Sequence, residues 1–374
     1  MSTVTPEHLL PGDEVSRITG ATRPHEDAPE LAAGDGAVTV DASGWIALPP
    51  LADLHAHLDK AYTWEAAGRP EGSLEDAVAC WRAFGASLTQ EQIVAGARRQ
   101  LRAALSAGVL SIRSHVNFHE GHDPLRGVRA LVGLREEFRG LVDLQLVAMP
   151  GFDCDDALVR EAVALGVDLL GGAPHLGPDP RAHLRRILRL AEETGIGVDV
   201  HADETLDPRA GDLRELARAT AQWPAERTRS AGHCVSLAML EPRELGRVLD
   251  EVAAAGVSIV TNPLTNLYLQ GWEHPVATPR ALPPLAAILD AGVLLAAGGD
   301  NVQDPFNPLG NADMVDVASA LVLAGHLDPA RAWAIASTGG RRVFRAVPAD
   351  GAPGDAADVL LVRARSVAEA VAER

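Results

Sequence analysis

Lysine is almost missing from this chain. Lys60 is the only one in 374 residues, and every other basic side chain is an arginine. The bias toward Arg and Ala reads as codon usage of the source genome. Cysteine is scarce as well. Cys80, Cys154 and Cys234 lie far apart with no CxxC spacing, which argues against a disulfide framework and for reduced thiols in a cytoplasmic enzyme. No apolar run is long enough to span a membrane, since stretches such as "AAILDAGVLLAA" are broken by Asp or Gly. The opening "MSTVTPEHLLPGDEVSR" has no basic start and no apolar core, so no secretory signal is read. Positive charge is also deficient. A formal net charge of −18 excludes binding to a nucleic-acid backbone or an anionic membrane, and leaves a neutral or cationic small molecule as the expected partner. A homo-oligomer is compatible with this composition.

What is present is a soluble chain, 47% hydrophobic and 22% charged, long enough for two average domains or one large α/β barrel. From residue 46 onward, short apolar runs alternate with amphipathic helical patterns. The strand candidates are "IALPPLADLHAHL", "VLSIRSHVNF", "VDLQLVAMP", "VDLLGGAPH", "GVDVHADE", "RSAGHCVSL", "VSIVTNPLTNL" and "VLLAAGGDN". Helical stretches such as "DDALVREAVALG", "PRAHLRRILRLAEETG" and "PRELGRVLDEVAAAG" end in Gly and begin near Pro or Asp, as capped helices do. Eight such units in succession predict an α/β fold with a closed (β/α)8 TIM-type barrel over residues 48–347. Residues 1–47 and 348–374 are expected to form a small, reduced β-element, with "GAVTVDASGWIALPP" as a hairpin leading into the barrel.

In such a barrel, chemistry sits at the C-terminal strand ends. Strand one ends in His55 and His57, which alternate onto one face; strand five gives His201 and then Glu204; strand six gives His233; strand eight gives Asp300. Three imidazoles and a carboxylate form a donor set suited to Zn²⁺ or Fe²⁺ with an open position for water. One histidine on a strand is usually a satisfied core residue, but four polar residues at the same end of four strands point to a metal site. Lys60 follows the first ligand pair, at the barrel mouth, and its lone survival favours a cation facing the pocket. Asp59 is expected to support that loop, and Cys234 to pack in the core.

"HAHLDK", "DVHADE", "GHC", "TNPLTNLYLQG" and "GGDNVQDPFNPLGNADM" resemble, in order and spacing, the cytosine-deaminase branch of the amidohydrolase superfamily. The resemblance spans roughly residues 35–365. It implies one divalent metal ion per chain, held by His55, His57, His201 and Asp300. It also implies Glu204 as the group that protonates a ring nitrogen and the leaving amine, His233 as the group that orients the attacking water, and Asp300 as the acceptor of that water's proton. A Glu in a dry pocket, with its pKa raised, can supply such a proton. Binuclear relatives use a carbamylated lysine on strand four; strand four here has none, which favours one metal.

The substrate readers depart from the family pattern. Gly151 stands where cytosine deaminases place a glutamine, the family "HDD" becomes Gly299, Asp300 and Asn301, and Tyr268 replaces a histidine. Cytosine is therefore not the expected ring. Another pyrimidine, a triazine or a cyclic guanidine fits better, because a site built for one heterocycle rejects another when its polar groups go unpaired. Lys60, Gly151, His175, Asn266, Asn301 and Phe306 are the expected substrate contacts. His115, Asn117, Asn262 and Trp272 read equally well as structural residues. The competing expectations are a cyclic amide or lactam hydrolase and a barrel that binds a heterocycle without turnover.

Overall fold

The computed structural model describes residues 2–9, 15–22, 38–121, 123–345 and 358–373. Eight parallel strands form one sheet in sequential order: β1 (Leu51–Ala56), β2 (Val109–Asn117), β3 (Asp143–Met149), β4 (Leu169–Leu170), β5 (Gly197–Ala202), β6 (Arg229–His233), β7 (Ser258–Thr261) and β8 (Leu295–Ala297). Every residue of β1 and β5 is buried, as expected for strands covered on both faces. The sheet curls until β8 meets β1. That seam closes at the C-terminal end only, where Ala56 bridges Asp300, Asp300 N–H donates to His55 O (2.7 Å) and His57 N–H donates to Asp300 O (3.2 Å). The buried Asp53 carboxylate reinforces it by accepting from His55 N (3.2 Å) and Gly299 N (2.9 Å).

The helices start and stop where local chemistry dictates. Helices Asp156–Leu165, Pro180–Thr194 and Pro242–Ala255 end at Gly166, Gly195 and Gly256, each left-handed, a conformation glycine adopts without strain. The β1–β2 connection holds two helices, Leu74–Gly85 and Gln90–Ser106, each opened by a reciprocal capping box (Ser73 with Asp76, Thr89 with Gln92). Helix Leu74–Gly85 rides over the barrel mouth, and its Trp81 packs with Phe306 in a satellite cluster.

The hairpin expected before the barrel does not form. Val38–Asp41 lies in a three-stranded parallel sheet between Ser2–Val4 and Val15–Thr19, whereas Ile46–Leu48 pairs antiparallel with Leu360–Val362. The turn around Ser43 and Gly44 is real, but each flanking strand finds its partner in a remote segment. The boundary expected near residue 348 lies outside the described residues. Among the described residues, the three thiols are unpaired and no helix is long and apolar enough to cross a membrane.

Candidate metal centre and active site

The period-two alternation of β1 turns Asp53, His55 and His57 to the barrel interior, and that of β5 does the same for Asp199 and His201. His201 Nε2 lies 3.1 Å from both His55 Nε2 and His57 Nε2. Asp300 Oδ1 stands 3.4 Å from His57 Nε2 and 3.9 Å from His55 Nε2. All four side chains are buried. Donor atoms of one small cation, each about 2.0–2.1 Å from it, lie roughly 3–3.5 Å apart, so the three Nε2 atoms and the His57–Asp300 pair fit a shared ion, while His55, His233 and Asp300 form a second group of donor atoms. The chemistry of the set agrees. Neither Asp300 oxygen makes a hydrogen bond, and the Nε2 atoms of His55, His57 and His201 face one another. Lone pairs buried face to face are unfavourable unless a cation joins them.

Electrostatics point the same way. Burial, then the neighbouring imidazoles and Lys60, push His55, His57 and His201 well below the ordinary imidazole range, leaving the neutral rings that ligation requires. Burial, followed by the Glu204 charge, pushes Asp300 well up, and a bound cation opposes that shift.

Close packing around His55 depends on glycine. A Cβ on Gly298 would come within 2.5–2.8 Å of the His55 Cβ and backbone, and one on Gly232 within 2.6 Å of the ring. Backbone strain also gathers here. Asp300 (φ 63°), His233 (φ 70°) and Asp203 (φ 54°) are non-glycine residues in the left-handed region just at or past strand ends; the first two line the cavity, and Asp203 accepts from Asp212 N and Leu213 N. Cys234 shares this turn but points into the core.

Glu204 is buried beside the cluster, its two oxygens facing His233 Nδ1 (3.4 Å) and His175 Nε2 (3.5 Å). Its electrostatics differ from the sequence expectation. Burial raises the carboxyl, but His233 and His175 outweigh it and hold Glu204 below its usual range. His175 answers in the opposite sense: burial lowers it, and the hydrogen bond and charge of Glu204 raise it above the ordinary value. Burial takes His233 down to about 4, against the opposing charge of Glu204.

A cavity of about 560 Å³ opens over His57, His201, Glu204, His233 and Asp300. Of the expected substrate contacts, Lys60, Gly151, Asn301 and Phe306 line it. His175 and Asn266 are not among its lining residues. His175 backs Glu204, and Asn266 Nδ2 lies 3.0 Å from His233 Nδ1. Asn117 reaches the cavity, while His115 stacks against His55 at 4.0 Å between ring centroids and faces Asp199. Trp272 is exposed and bonded to Tyr268 O, away from the cavity. Asp59 accepts Asn117 N–H (2.9 Å), tying the β1 loop to β2 as expected. Sequence reasoning missed the layer beneath the cluster, where Arg113 Nη1 donates to Asp199 Oδ2 (2.7 Å) and Ser230 Oγ (3.0 Å). The signal was available, because each polar residue lies two positions before an inward-facing histidine or at the same inward register. Trp81 had no such signal, since it comes from a helix inserted after β1.

A parallel eight-stranded barrel with a His/Asp cluster at the C-terminal ends of its strands defines the class of metal-dependent barrel hydrolases. The chain belongs to the Amidohydrolase family, whose model matches residues 61–345. It is 35% identical over 292 residues to a pterin deaminase from Rhizobium rhizogenes, a match covering 75% of this chain and 65% of that relative. It is 24% identical over 330 residues to an N-isopropylammelide isopropyl amidohydrolase from Pseudomonas sp., covering 82% and 76%. Among solved structures, 5-methylcytosine deaminase from Klebsiella pneumoniae superposes with a TM-score of 0.83 at 25% identity, covering 95% of this chain and 94% of that one. N-isopropylammelide isopropylaminohydrolase from Burkholderia multivorans gives 0.76 at 30% identity, covering 96% and 93%.

Proposed function

We propose that this protein is a metal-dependent aminohydrolase that replaces the exocyclic amine of a nitrogen heterocycle with oxygen and releases ammonia. The observation that carries this reading is the position of Glu204, buried within one cavity with the His/Asp cluster and held between two imidazoles. His55, His57, His201 and Asp300 would hold one divalent ion, zinc or iron, which when bound makes water acidic enough to serve as nucleophile at neutral pH.

The remaining chemistry belongs to the chain. His233 orients the attacking water, and Asp300 accepts its proton. Glu204 delivers protons to a ring nitrogen and to the departing amine. In balance, water forms a C–O bond at the amidine-like carbon, the C–N bond breaks, and both water protons leave with the product pair. An ionised resting Glu204 suits this work, because it can receive a proton before donating one. The cavity is larger than a single pyrimidine needs, and Gly151 leaves open the place of a reading glutamine. With the likeness to a pterin deaminase, this favours a fused ring of pteridine type. Release of an alkylamine is the second reading, favoured by the likeness to the isopropylammelide hydrolases.

The test is a turnover panel on metal-reconstituted protein: 2-amino-4-oxopteridine, cytosine, 5-methylcytosine and N-isopropylammelide, with ammonia and isopropylamine both measured. The expected result is ammonia from the pteridine, lost by at least about 10²-fold in kcat in Glu204→Gln. A fully metallated protein that releases no amine from any of them sinks the proposal.

A further inference from the structure

We infer that the cavity has an outer arm, between the loop after β3 and the helix Pro180–Thr194, that takes a neutral oxygen-bearing substituent of the substrate, with His183 as the donor that reads it. The inference rests on the aminohydrolase reading for the ring that carries the substituent, and on the structure for the arm.

The cavity that opens over the His/Asp cluster also takes in Gly151, Ala173 and His183. The helix beside this arm holds its loop in place. Arg186, one turn after His183, donates through Nη1 to Gly151 O (3.1 Å) and Phe152 O (3.3 Å), through Nη2 to Cys154 O, and through Nε to Asp156 Oδ1 (2.7 Å). Apolar side chains of Met149, Phe152, Leu158 and Leu176 supply much of the remaining wall.

His183 is 5% exposed, lines the cavity and, among the described residues, makes no side-chain hydrogen bond. Its ring lies against the end of β4 because Gly172 is bare; a Cβ there would come within 3.0 Å of His183 Nε2 and 2.6 Å of Ile187 Cδ1. Burial, then the charge of Arg186, take His183 down to about 4, so the ring is uncharged and carries one N–H. Of its two nitrogens, Nδ1 is the one fully enclosed without a partner. Enclosing an N–H without an acceptor costs more than enclosing a lone pair, so the proton belongs on Nε2, on the cavity side. His119 also borders the cavity, but its Nε2 is enclosed against Gly127 on the helix behind it.

A single neutral donor in an apolar arm suits a single hydroxyl or carbonyl oxygen. A carboxylate would lose its hydration there with no cation to replace it. Arg186 is engaged by the loop carbonyls and Asp156, and the Lys60 ammonium acts on the cluster rather than on His183. The exposed charges around the cavity on this side, Glu120, Asp153 and Asp155 against Arg82, are mainly acidic and oppose an anion further.

Calorimetric binding tests the arm apart from the chemistry. Metal-loaded wild type, H183F and H183N are titrated with 2,4-dioxopteridine and with its ethyl, hydroxymethyl and carboxylate derivatives, each as the 6- and the 7-isomer. In one isomer, wild type should bind the hydroxymethyl compound at least about tenfold tighter than the ethyl compound of equal size and than the carboxylate. H183F should bring hydroxymethyl and ethyl to within about twofold of each other and leave the bare ring nearly unchanged, while H183N, which keeps a donor, retains part of the preference. A wild type that binds hydroxymethyl no better than ethyl in either isomer overturns the inference, and needs no variant. So does a carboxylate that binds tighter than the hydroxymethyl compound, or a preference that survives in H183F. A bare ring weakened in H183F as much as the hydroxymethyl compound shows that His183 only packs, and overturns it too. If no pteridine binds while cytosine or N-isopropylammelide is turned over, the inference falls and the deaminase reading stands. A His183-dependent preference without ammonia release from any ring would remove that reading and leave the arm in place.

Discussion

The Glu204 carboxylate lies 3.5 Å from His175 Nε2, and the two shift each other in opposite senses, Glu204 down and His175 up. Replacing His175 with Gln removes one of the two imidazoles that hold Glu204 down, so its carboxyl should move up. If Glu204 must be ionised in the free enzyme, the acidic limb of kcat/KM moves to higher pH and kcat falls roughly tenfold. A pH–rate profile on both proteins checks this. A limb that stays in place would mean that His175 only packs against the carboxylate.

Removal of the metal should abolish turnover reversibly. Dialysis against a strong chelator is expected to leave folded protein without activity, and addition of Zn²⁺, Fe²⁺ or Mn²⁺ to restore it. Both His57→Ala and Asp300→Asn should carry well under one divalent ion per chain. Saturating metal should also stabilise the fold by about 2.7 kcal/mol at a hundredfold excess over Kd. Metal analysis and thermal melts with and without chelator measure both effects. Retention of full activity with no bound ion would end the metal assignment.

Gly298 is where β8 lets His55 approach, since an added Cβ would lie 2.5 Å from the His55 Cβ. The clashing atoms are backbone and Cβ, which cannot swing aside. Gly298→Ala should therefore displace β1 against β8 at the seam, with a loss of about 1–3 kcal/mol in unfolding free energy. Because the moved residue is a cluster histidine, metal affinity should drop at least tenfold. Chelator competition and urea unfolding read the two losses separately. A variant with native metal affinity would show that the seam adjusts freely.

The βα alternation made the barrel and its strand order legible, because period-two burial and glycine-capped helices are local signals. The same alternation made His55, His57, His201 and Asp300 legible. It carries Asp53, Arg113 and Asp199 too, at inward positions two residues before a histidine. Strand pairing outside the barrel was not legible. Val38–Asp41 and Ile46–Leu48 have the turn chemistry of a hairpin between them, but their partners, Ser2–Val4, Val15–Thr19 and Leu360–Val362, are distant in sequence. The charge state of Glu204 was hidden for a similar reason. It depends on His233 and on His175, the latter delivered by the loop after β4, whose approach no spacing reveals.

Beneath the cluster, Arg113 and Asp199 form an ion pair with no exposed surface, joining β2 to β5 at 2.7 Å. Arg113 also donates to Gln145 Oε1, Ser230 Oγ and Val343 O, each at 3.0 Å, so its guanidinium knits β3, β6 and the helix Gly340–Arg345 to the barrel floor. Asp199→Asn preserves the shape but leaves that guanidinium without a counter-charge. Breaking a buried pair on one side typically costs about 3–5 kcal/mol, whereas replacing both partners with apolar side chains of similar volume is far milder. Asp199→Asn should accordingly destabilise the protein by several kcal/mol in denaturant unfolding, and Arg113→Met combined with Asp199→Leu should recover at least half of that loss. Asp199 lies two residues before His201, so metal content must be measured alongside. If the single variant loses under about 1 kcal/mol, the charge of Asp199 is not what compensates Arg113, and the hydrogen bonds to Ser230, Gln145 and Val343 suffice to hold the floor.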